Sequence, residues 1–512
     1  MIRAISILTA LTSVSLAVAD DFSVVGSIVS PDAANYDAYG SDVAFANAST
    51  LCVGVRGADA QGSNAGAVDI FNLTSEGWEF IQRPTAVGLQ PGDQLGEAVA
   101  GDNTWFAAGA TRHDAMGVDS GAVWMFRNNQ TNWAHAQRLL PPVTSAGARF
   151  GSALALEQDT LVIGAPLHSG GGSVSIFTQA NSTWTHALSI ANPTPGASNR
   201  FGESVALAGD WLAVGDPYDD AVIIDGGAVY LYRHVASAWI LKQTLRPTQA
   251  VAREYFGQSL SIDGTRLAIG VYGANSGANS GAETSGRVEL YELSDNLWQS
   301  TDVIEPLEPI MGGNFGWDVA LDGDRLAIGA PGAGSDLAPL SGLVSYYIRD
   351  PKLLVWNVVV DAVLIDRHPQ DLLGACVALR DGQLAIGAPG APDAPGTSAP
   401  RGVVAGADFS QDCNGDGIPD AVELARGAAD CDLNSVPDAC QPDDDDDGIP
   451  NTCEACVADI NGDTHVNGFD FSLLLNSWGA VPAGEPADLD EDGNVGASDV
   501  ALLLNSWGKC EL

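Results

Sequence analysis

A pair made of an aromatic residue or leucine followed by glycine recurs seven times along the chain: Tyr39-Gly40, Leu95-Gly96, Phe150-Gly151, Phe201-Gly202, Phe256-Gly257, Phe315-Gly316 and Leu373-Gly374. Successive pairs lie 51–59 residues apart. Self-similarity at such a period marks an array of units, each too small to bury its own apolar face. A second glycine follows thirteen residues after each first one, fourteen in the first unit: Gly54, Gly109, Gly164, Gly215, Gly270, Gly329 and Gly387. An apolar run then ends in Phe71, Phe126, Phe177, Tyr232, Tyr291 or Tyr347. Seven residues later, nine in the last case, stands Trp78, Trp133, Trp184, Trp239, Trp298 or Trp356.

Each unit reads as four short strands. Residues 204–208 alternate in the strand manner, Gly209-Asp210 makes a tight turn and 211–215 returns. Residues 227–232 and 239–245 form a second hairpin. Four strands per unit, repeated radially, predict a β-propeller. Each tryptophan lies 18 residues before the next aromatic-Gly glycine, and the seventh such partner is missing at the C-terminal end of the array. Phe22 lies 18 residues before Gly40, and residues 22–28 match the pattern of 184–190. The N-terminal strand is therefore expected to complete the seventh blade and remove the open sheet edges.

These units resemble FG-GAP repeats, the blades of integrin-α-like propellers, over roughly residues 22–409. Many members of that family carry a calcium loop of alternating Asp between the two glycines. Here the span holds short turns such as 157–159, 208–210 and 322–324, so calcium is not expected on the blades. The variable lengths fall between the second glycine and the third strand, at 57–65, 111–120, 167–171, 216–226, 271–285, 332–341 and 390–401. Propeller geometry brings all seven to one face, where a glycan or a protein would bind. The recurring Trp and Phe/Tyr are expected to be packing.

Charge excludes several partners. Lys+Arg number 22 against 65 Asp+Glu, a formal charge of −43. Nothing basic is available to neutralise nucleic-acid phosphates or to bind an anionic membrane. Residues 412–512 hold 23 Asp/Glu against Arg426 and Lys509, about half of the net charge. At the other end, Arg3 precedes a short apolar stretch, 4–19, closing in Ala17-Val18-Ala19. This reads as a secretory signal cut before Asp20, too short to span a membrane. The mature protein is then extracellular, with no membrane insertion, where disulfides form. Six of eight cysteines (Cys413, Cys431, Cys440, Cys453, Cys456 and Cys510) fall in the acidic C-terminal fifth, and sequence leaves their pairing open. Cys52 and Cys376 lie in strand-like runs and are expected to be buried thiols.

The acidic fifth carries metal chemistry. A 12-residue calcium loop presents oxygen ligands at positions 1, 3, 5, 7, 9 and 12 with Gly at 6. From Asp412 the pattern reads Asp412, Asn414, Asp416, Asp420 and Glu423, with Gly417 at the turn. From Asp443 it reads Asp443, Asp445, Asp447, Asn451 and Glu454, with Gly448. Between them Asp430, Asp432, Asn434 and Asp438 repeat the spacing. With its interleaved Cys the stretch resembles thrombospondin type 3 calcium repeats, and such a segment relies on metal and disulfides for its shape.

The last segment is a duplication. Asp459, Asn461, Asp463, His465, Asn467 and Asp470 recur 29 residues later as Asp488, Asp490, Asp492, Asn494, Gly496 and Asp499. Each loop runs into a predicted helix ending in the same heptapeptide, 473–479 and 502–508. Phe471, Leu474, Leu475 and Trp478 share one helical face, as do Val500, Leu503, Leu504 and Trp507. Gly479 and Gly508 suit helix C-caps. Two loop–helix halves with Asp at position 12 are similar to a type I dockerin over about 457–510. The resemblance implies Ca2+ and a cohesin-like partner. Thr464 replaces the turn glycine of the first loop, at a cost on the order of 1 kcal/mol. Gly496 offers only a water-mediated ligand in the second loop.

The expected architecture is mainly β: a seven-bladed β-propeller followed by a calcium-bound irregular linker and a small α-helical dockerin-like domain. The domains are a signal peptide at 1–19, the propeller at 20–411, the linker at 412–456 and the dockerin-like domain at 457–512. No His-Glu-x-x-His, Gly-x-Ser-x-Gly or phosphate-cradling glycine loop is present. The expectation is a secreted, non-catalytic binding, adhesion or structural protein, held through residues 457–512 by a cohesin-like or cell-surface partner. The alternative is a polysaccharide-degrading enzyme carried by the propeller.

Overall fold

The computed structural model describes residues 21–408 except 25–26, 29–33, 35–36, 75–76, 248–250, 275–283, 335–337, 351–352, 365–367 and 392–401. It also describes 420, 423, 428–429, 437–441, 458, 460–461, 465–482, 485–490, 492–505 and 507–509. The expected signal segment and the pairing of the remaining C-terminal cysteines lie outside these residues. The chain divides into two compact units, Met1–Ser410 and Gln411–Leu512. Among the described residues no helix is long and apolar enough to cross a membrane.

The first unit is a ring of seven sheets. Blade four shows the plan: Ser204–Ala208, Trp211–Asp216, Ala228–Val235 and Ala238–Leu245, each antiparallel to the next. The second strand is buried along its whole length, because neighbouring blades cover both its faces. That is why this strand reads as an unbroken apolar run rather than an alternating one. The outermost strand alternates instead, as Trp133–Leu139 does in blade two.

The core lies between blades. At the junction of blades three and four, Phe201 packs with Val162, Ile176, Val214 and Tyr230. Phe256 and Phe315 do the same one and two junctions on. Burying each such ring contributes roughly 2–3 kcal/mol. The recurring tryptophans are packing, as expected: Trp133, Trp184 and Trp298 are buried. Their backbones are clasped by a glutamine of the preceding blade in the pairs Gln82–Trp133, Gln137–Trp184 and Gln243–Trp298.

The second glycine of each repeat exists so that the next blade can approach. A Cβ on Gly164 would lie 2.1 Å from the carbonyl oxygen of Gly202. A third repeating glycine lies outside the pattern drawn from the sequence. Seven parallel bridges join the glycine before each third strand to the aromatic or Leu of the next blade's pair, from Gly66↔Leu95 round to Gly402↔Tyr39. Gly172 has φ +99°, and a Cβ there would lie 2.2 Å from the oxygen of Phe201. The signal was present as a small residue or Arg401 followed by glycine before every third strand.

Ring closure differs from expectation in one respect. Ser27–Ile28 pairs antiparallel with Val403–Asp408 and supplies the fourth strand of blade seven. Asp21–Val24 instead runs parallel to Trp356–Leu364 and adds a fifth strand to blade six. The N-terminal segment therefore divides between two blades. The 18-residue spacing measured chain length correctly, but length alone does not choose the sheet edge.

Small polar groups latch the innermost strands. Ser204 and Ser259 hydroxyls and the Cys376 thiol donate to the carbonyls of Gly257, Gly316 and Gly40 at 2.7, 3.0 and 3.3 Å. At the same repeat position, Asp42 and Asp318 accept the amides of Val99 and Val377, both at 2.7 Å. Cys52 and Cys376 are free and buried, as expected. Burial pushes the Asp42 and Asp318 carboxyls up to about 7 and about 6. The folded chain then holds more protons than the unfolded one between about pH 4 and pH 7. Their contribution is fully present below about pH 4 and is lost as pH rises through 6 to 7. A rise of the Asp42 size corresponds to about 4 kcal/mol at full strength, and partial exposure to solvent reduces this to roughly half. The melting temperature should therefore rise on going from about pH 7.5 to pH 5. Scanning calorimetry of the Asp42→Asn/Asp318→Asn variant should show a smaller rise. An unchanged slope would remove these two groups as its source.

Candidate functional site

The second unit is built on the 29-residue duplication. Helix α1, Gly468–Asn476, and helix α2, Ala497–Asn505, each follow an acidic loop. Asn467 caps α1: its side chain accepts the amide of Phe469, while Asp470 accepts the amide of Asn467 at 2.9 Å. The halves interlock. His465–Val466 pairs with Gly508–Lys509, and Gly479–Ala480 pairs with Asn494–Val495. Their core is correspondingly symmetric: Ala458, Val466 and Leu474 from one half meet Ala487, Val495 and Leu503 from the other.

Position 12 of each loop organises the backbone. Asp499 is buried, and its carboxylate accepts the amides of Leu489 at 2.7 Å, Asp490 at 3.3 Å and Gly496 at 2.6 Å. Burial alone would raise this carboxyl, but its amide donors outweigh that and hold it below the usual range. Asp470 repeats the arrangement with the amides of Asn461 at 3.1 Å and Asn467 at 2.9 Å.

The second loop fits a hard cation. Carboxylate oxygens of Asp488, Asp490 and Asp492 lie within 4.8 Å of one another. One oxygen of Asp488 accepts the amide of Gly493 at 2.9 Å, while the other is buried without a hydrogen-bond partner. Three converging carboxylates and an orphaned buried oxygen are a donor set for an oxygen-ligated divalent ion. In the first loop Asn461, His465, Asn467 and Asp470 are described, and Asp459 and Asp463 lie outside the described residues.

The linker is described at few points. Asp412, Asn414, Asp416, Asp430, Asp432, Asn434, Asp443, Asp445, Asp447, Asn451 and Glu454 lie outside the described residues. Asp420, Glu423 and Cys440 bring ligand-type atoms within 4.8 Å of one another. Cys440 is disulfide-bonded and has no thiolate to offer, so only the two carboxylates count as ligands there. Asp438 begins the short turn Asp438–Cys440.

Two helical expectations need correction. Phe471 and Leu474 pack inward, but Leu475 and Trp478 are exposed, Trp478 by 55%. Val500 and Leu503 likewise pack inward, while Leu504 and Trp507 are exposed, Trp507 by 51%. A nine-residue helix over so small a core covers a narrower stripe than the sequence pattern suggests. The C-cap of α1 is Ser477, not Gly479, whose positive φ opens the short strand instead.

A seven-bladed ring and a duplicated loop–helix unit, carried in one chain, define a two-module protein. Residues 133–177, 184–232 and 239–283 match the family described as FG-GAP repeat, and residues 457–506 match the Dockerin type I domain. The chain thus combines FG-GAP repeats in a propeller with a C-terminal type I dockerin domain. No curated protein matches it. Similar solved structures include a protein of Bacteroides fragilis named as a 6-phosphogluconolactonase, at 12% identity and TM-score 0.43, covering 66% of this chain and 86% of that one. Another is its counterpart from Bacteroides uniformis, at 10% identity and TM-score 0.44, covering 64% and 85%. At that likeness the names of those proteins say nothing about this one.

Proposed function

We propose that the protein is a secreted, calcium-binding, non-catalytic binding or structural protein whose propeller is attached through its dockerin to a cohesin-like or cell-surface partner. One observation carries this reading: the duplicated unit presents two exposed apolar sets, Leu473, Leu475 and Trp478, and their repeats Leu502, Leu504 and Trp507. Exposed aromatic and aliphatic anchors on so small a unit suit a partner surface. Because the sets are related by the duplication, a partner can dock in either of two orientations. Calcium belongs in the acidic loops, where Asp488, Asp490 and Asp492 converge.

A polysaccharide-degrading enzyme is the rival reading. Its strongest support is an open cavity of about 690 Å3 lined by hairpin turns of several blades, with Glu157, Asp159, Asp263 and Arg380 in its wall. Two of those carboxylates already serve the ring. Glu157 accepts the amide of Gly209 at 2.8 Å and Asp263 that of Gly323 at 2.5 Å, each in the next blade. That structural employment favours the non-catalytic reading.

The test is calorimetric titration of the full-length protein with a type I cohesin domain. Binding is expected in millimolar calcium and should vanish in chelator. Trp478→Ala or Trp507→Ala alone should retain it, and the double variant should weaken it by roughly 2 kcal/mol or more. No binding in calcium would overturn the attachment; release of sugars from polysaccharide by the same preparation would overturn the non-catalytic reading.

A further inference from the structure

The propeller's periodic aromatics are core, so aromatics that break the period stand out. Tyr218, Tyr255, Tyr272 and Trp317 are all half-buried. Tyr255 immediately precedes the Phe256-Gly257 pair; the other repeats have Ala38, Gln94, Arg149, Arg200, Asn314 and Leu372 there. Trp317 immediately follows Phe315-Gly316; elsewhere the position holds Ser41, Glu97, Ser152, Glu203, Gln258 or Ala375. The fold does without a ring at these positions in every other blade.

These four side chains nevertheless form one continuous strip across blades four to six. Ring centroids of Tyr218 and Tyr255 are 5.1 Å apart, those of Tyr255 and Tyr272 4.9 Å, and those of Tyr272 and Trp317 5.0 Å. The strip lies among the connections that enter the first strands and leave the second ones, on the variable-loop face. A polar fringe adjoins it. The Arg200 guanidinium sits 4.3 Å from the centroid of Tyr218 and 3.7 Å from Glu203. Arg149 and Glu97 are close enough to act electrostatically on Glu203.

We propose that the strip Tyr218–Tyr255–Tyr272–Trp317, with Arg200 and Glu203 beside it, is a binding site for a neutral oligosaccharide chain. The proposal rests on the reading of the propeller as a binding module. A sugar ring offers an apolar C–H face and a belt of hydroxyls. The aromatic faces and edges suit the first, and the planar guanidinium and carboxylate suit adjacent hydroxyls. Other ligands fit worse. A cation would compete with Arg200, which already covers the Tyr218 ring. An anionic glycan or a nucleic acid meets a chain of formal charge −43.

The experiment is calorimetric titration of the full-length protein with neutral hexasaccharides of β-1,4-linked glucose, xylose and mannose. At least one should bind, and Trp317→Ala and Tyr272→Ala should each weaken it about tenfold or more. Arg200→Ala, at a 38% exposed side chain, should weaken it too without changing the melting temperature, which separates lost contact from lost fold. Phe469→Ala, in the dockerin, should leave it unchanged. Binding that survives all three propeller substitutions overturns the site while leaving a binding propeller. Binding to none of the three sugars, or to peptides alone, overturns the ligand class, and the cohesin titration tests the attachment separately.

Discussion

In chelator, residues 455–512 should lose the circular-dichroism signal of both helices, and millimolar calcium should restore it. The loops before the helices must order first, because Asp470 and Asp499 tie loop amides to the first turn of each helix. Ordering the second loop gathers Asp488, Asp490 and Asp492, whose repulsion opposes the compact state, and buries an Asp488 oxygen with no donor. The apolar core has little to set against this: Ala458 and Ala487 are two of its six fully buried members. A cation bound at 100 times its dissociation constant adds about 2.7 kcal/mol, enough to tip so small a unit. Asp499→Ala removes a buried carboxylate that three amides need, and should cost about 3 kcal/mol with a matching loss of calcium affinity. Full helicity in chelator would sink the coupling of metal to folding.

The second large effect is expected in the ring. Gly109→Ala would place a Cβ 1.9 Å from the carbonyl oxygen of Gly151, in the turn that enters the innermost strand of the next blade. Neither partner is a flexible side chain, so two blades must separate. A destabilisation of about 3 kcal/mol or more is expected from thermal denaturation. Gly209→Ala is the matched control. Gly209 has φ +54° with nothing within 4 Å of its Cβ, so only backbone strain of about 1 kcal/mol should appear. Equal losses at the two positions would mean that close approach of the blades is not what the repeat glycine protects.

Much of the ring was legible because its constraints are local in spacing. The aromatic-Gly pair, the second glycine and the tryptophan each answer a contact repeated at every junction, so each recurs at a fixed offset. What escaped depends on partners that spacing does not specify. Phe22 lay at the right distance to close blade seven, yet Asp21–Val24 found the outer edge of blade six. Trp478 and Trp507 read as sharing a helical face with Leu474 and Leu503, but both rings lie beyond the helix ends at Asn476 and Asn505 and are exposed. In the acidic loops the oxygen-bearing residues were legible by their phase. The amide network that Asp470 and Asp499 organise was not, since backbone donors leave no mark in composition.

The bridge from Gly402 to Tyr39 sets an order of events for the nascent chain. Junctions one to six join blades adjacent in sequence, so they can form in turn as synthesis proceeds. The seventh joins the two ends of the array: Cys376 reaches Gly40 across 336 residues and Arg380 reaches Phe45 across 335. Such long loop closure is slow and comes last. Until then blade one presents a bare flank for the longest time of any. Once shut, the ring gives no blade a free side from which to peel, so unfolding must begin by breaking a junction, and the finished propeller is protected by a rate as well as by an equilibrium.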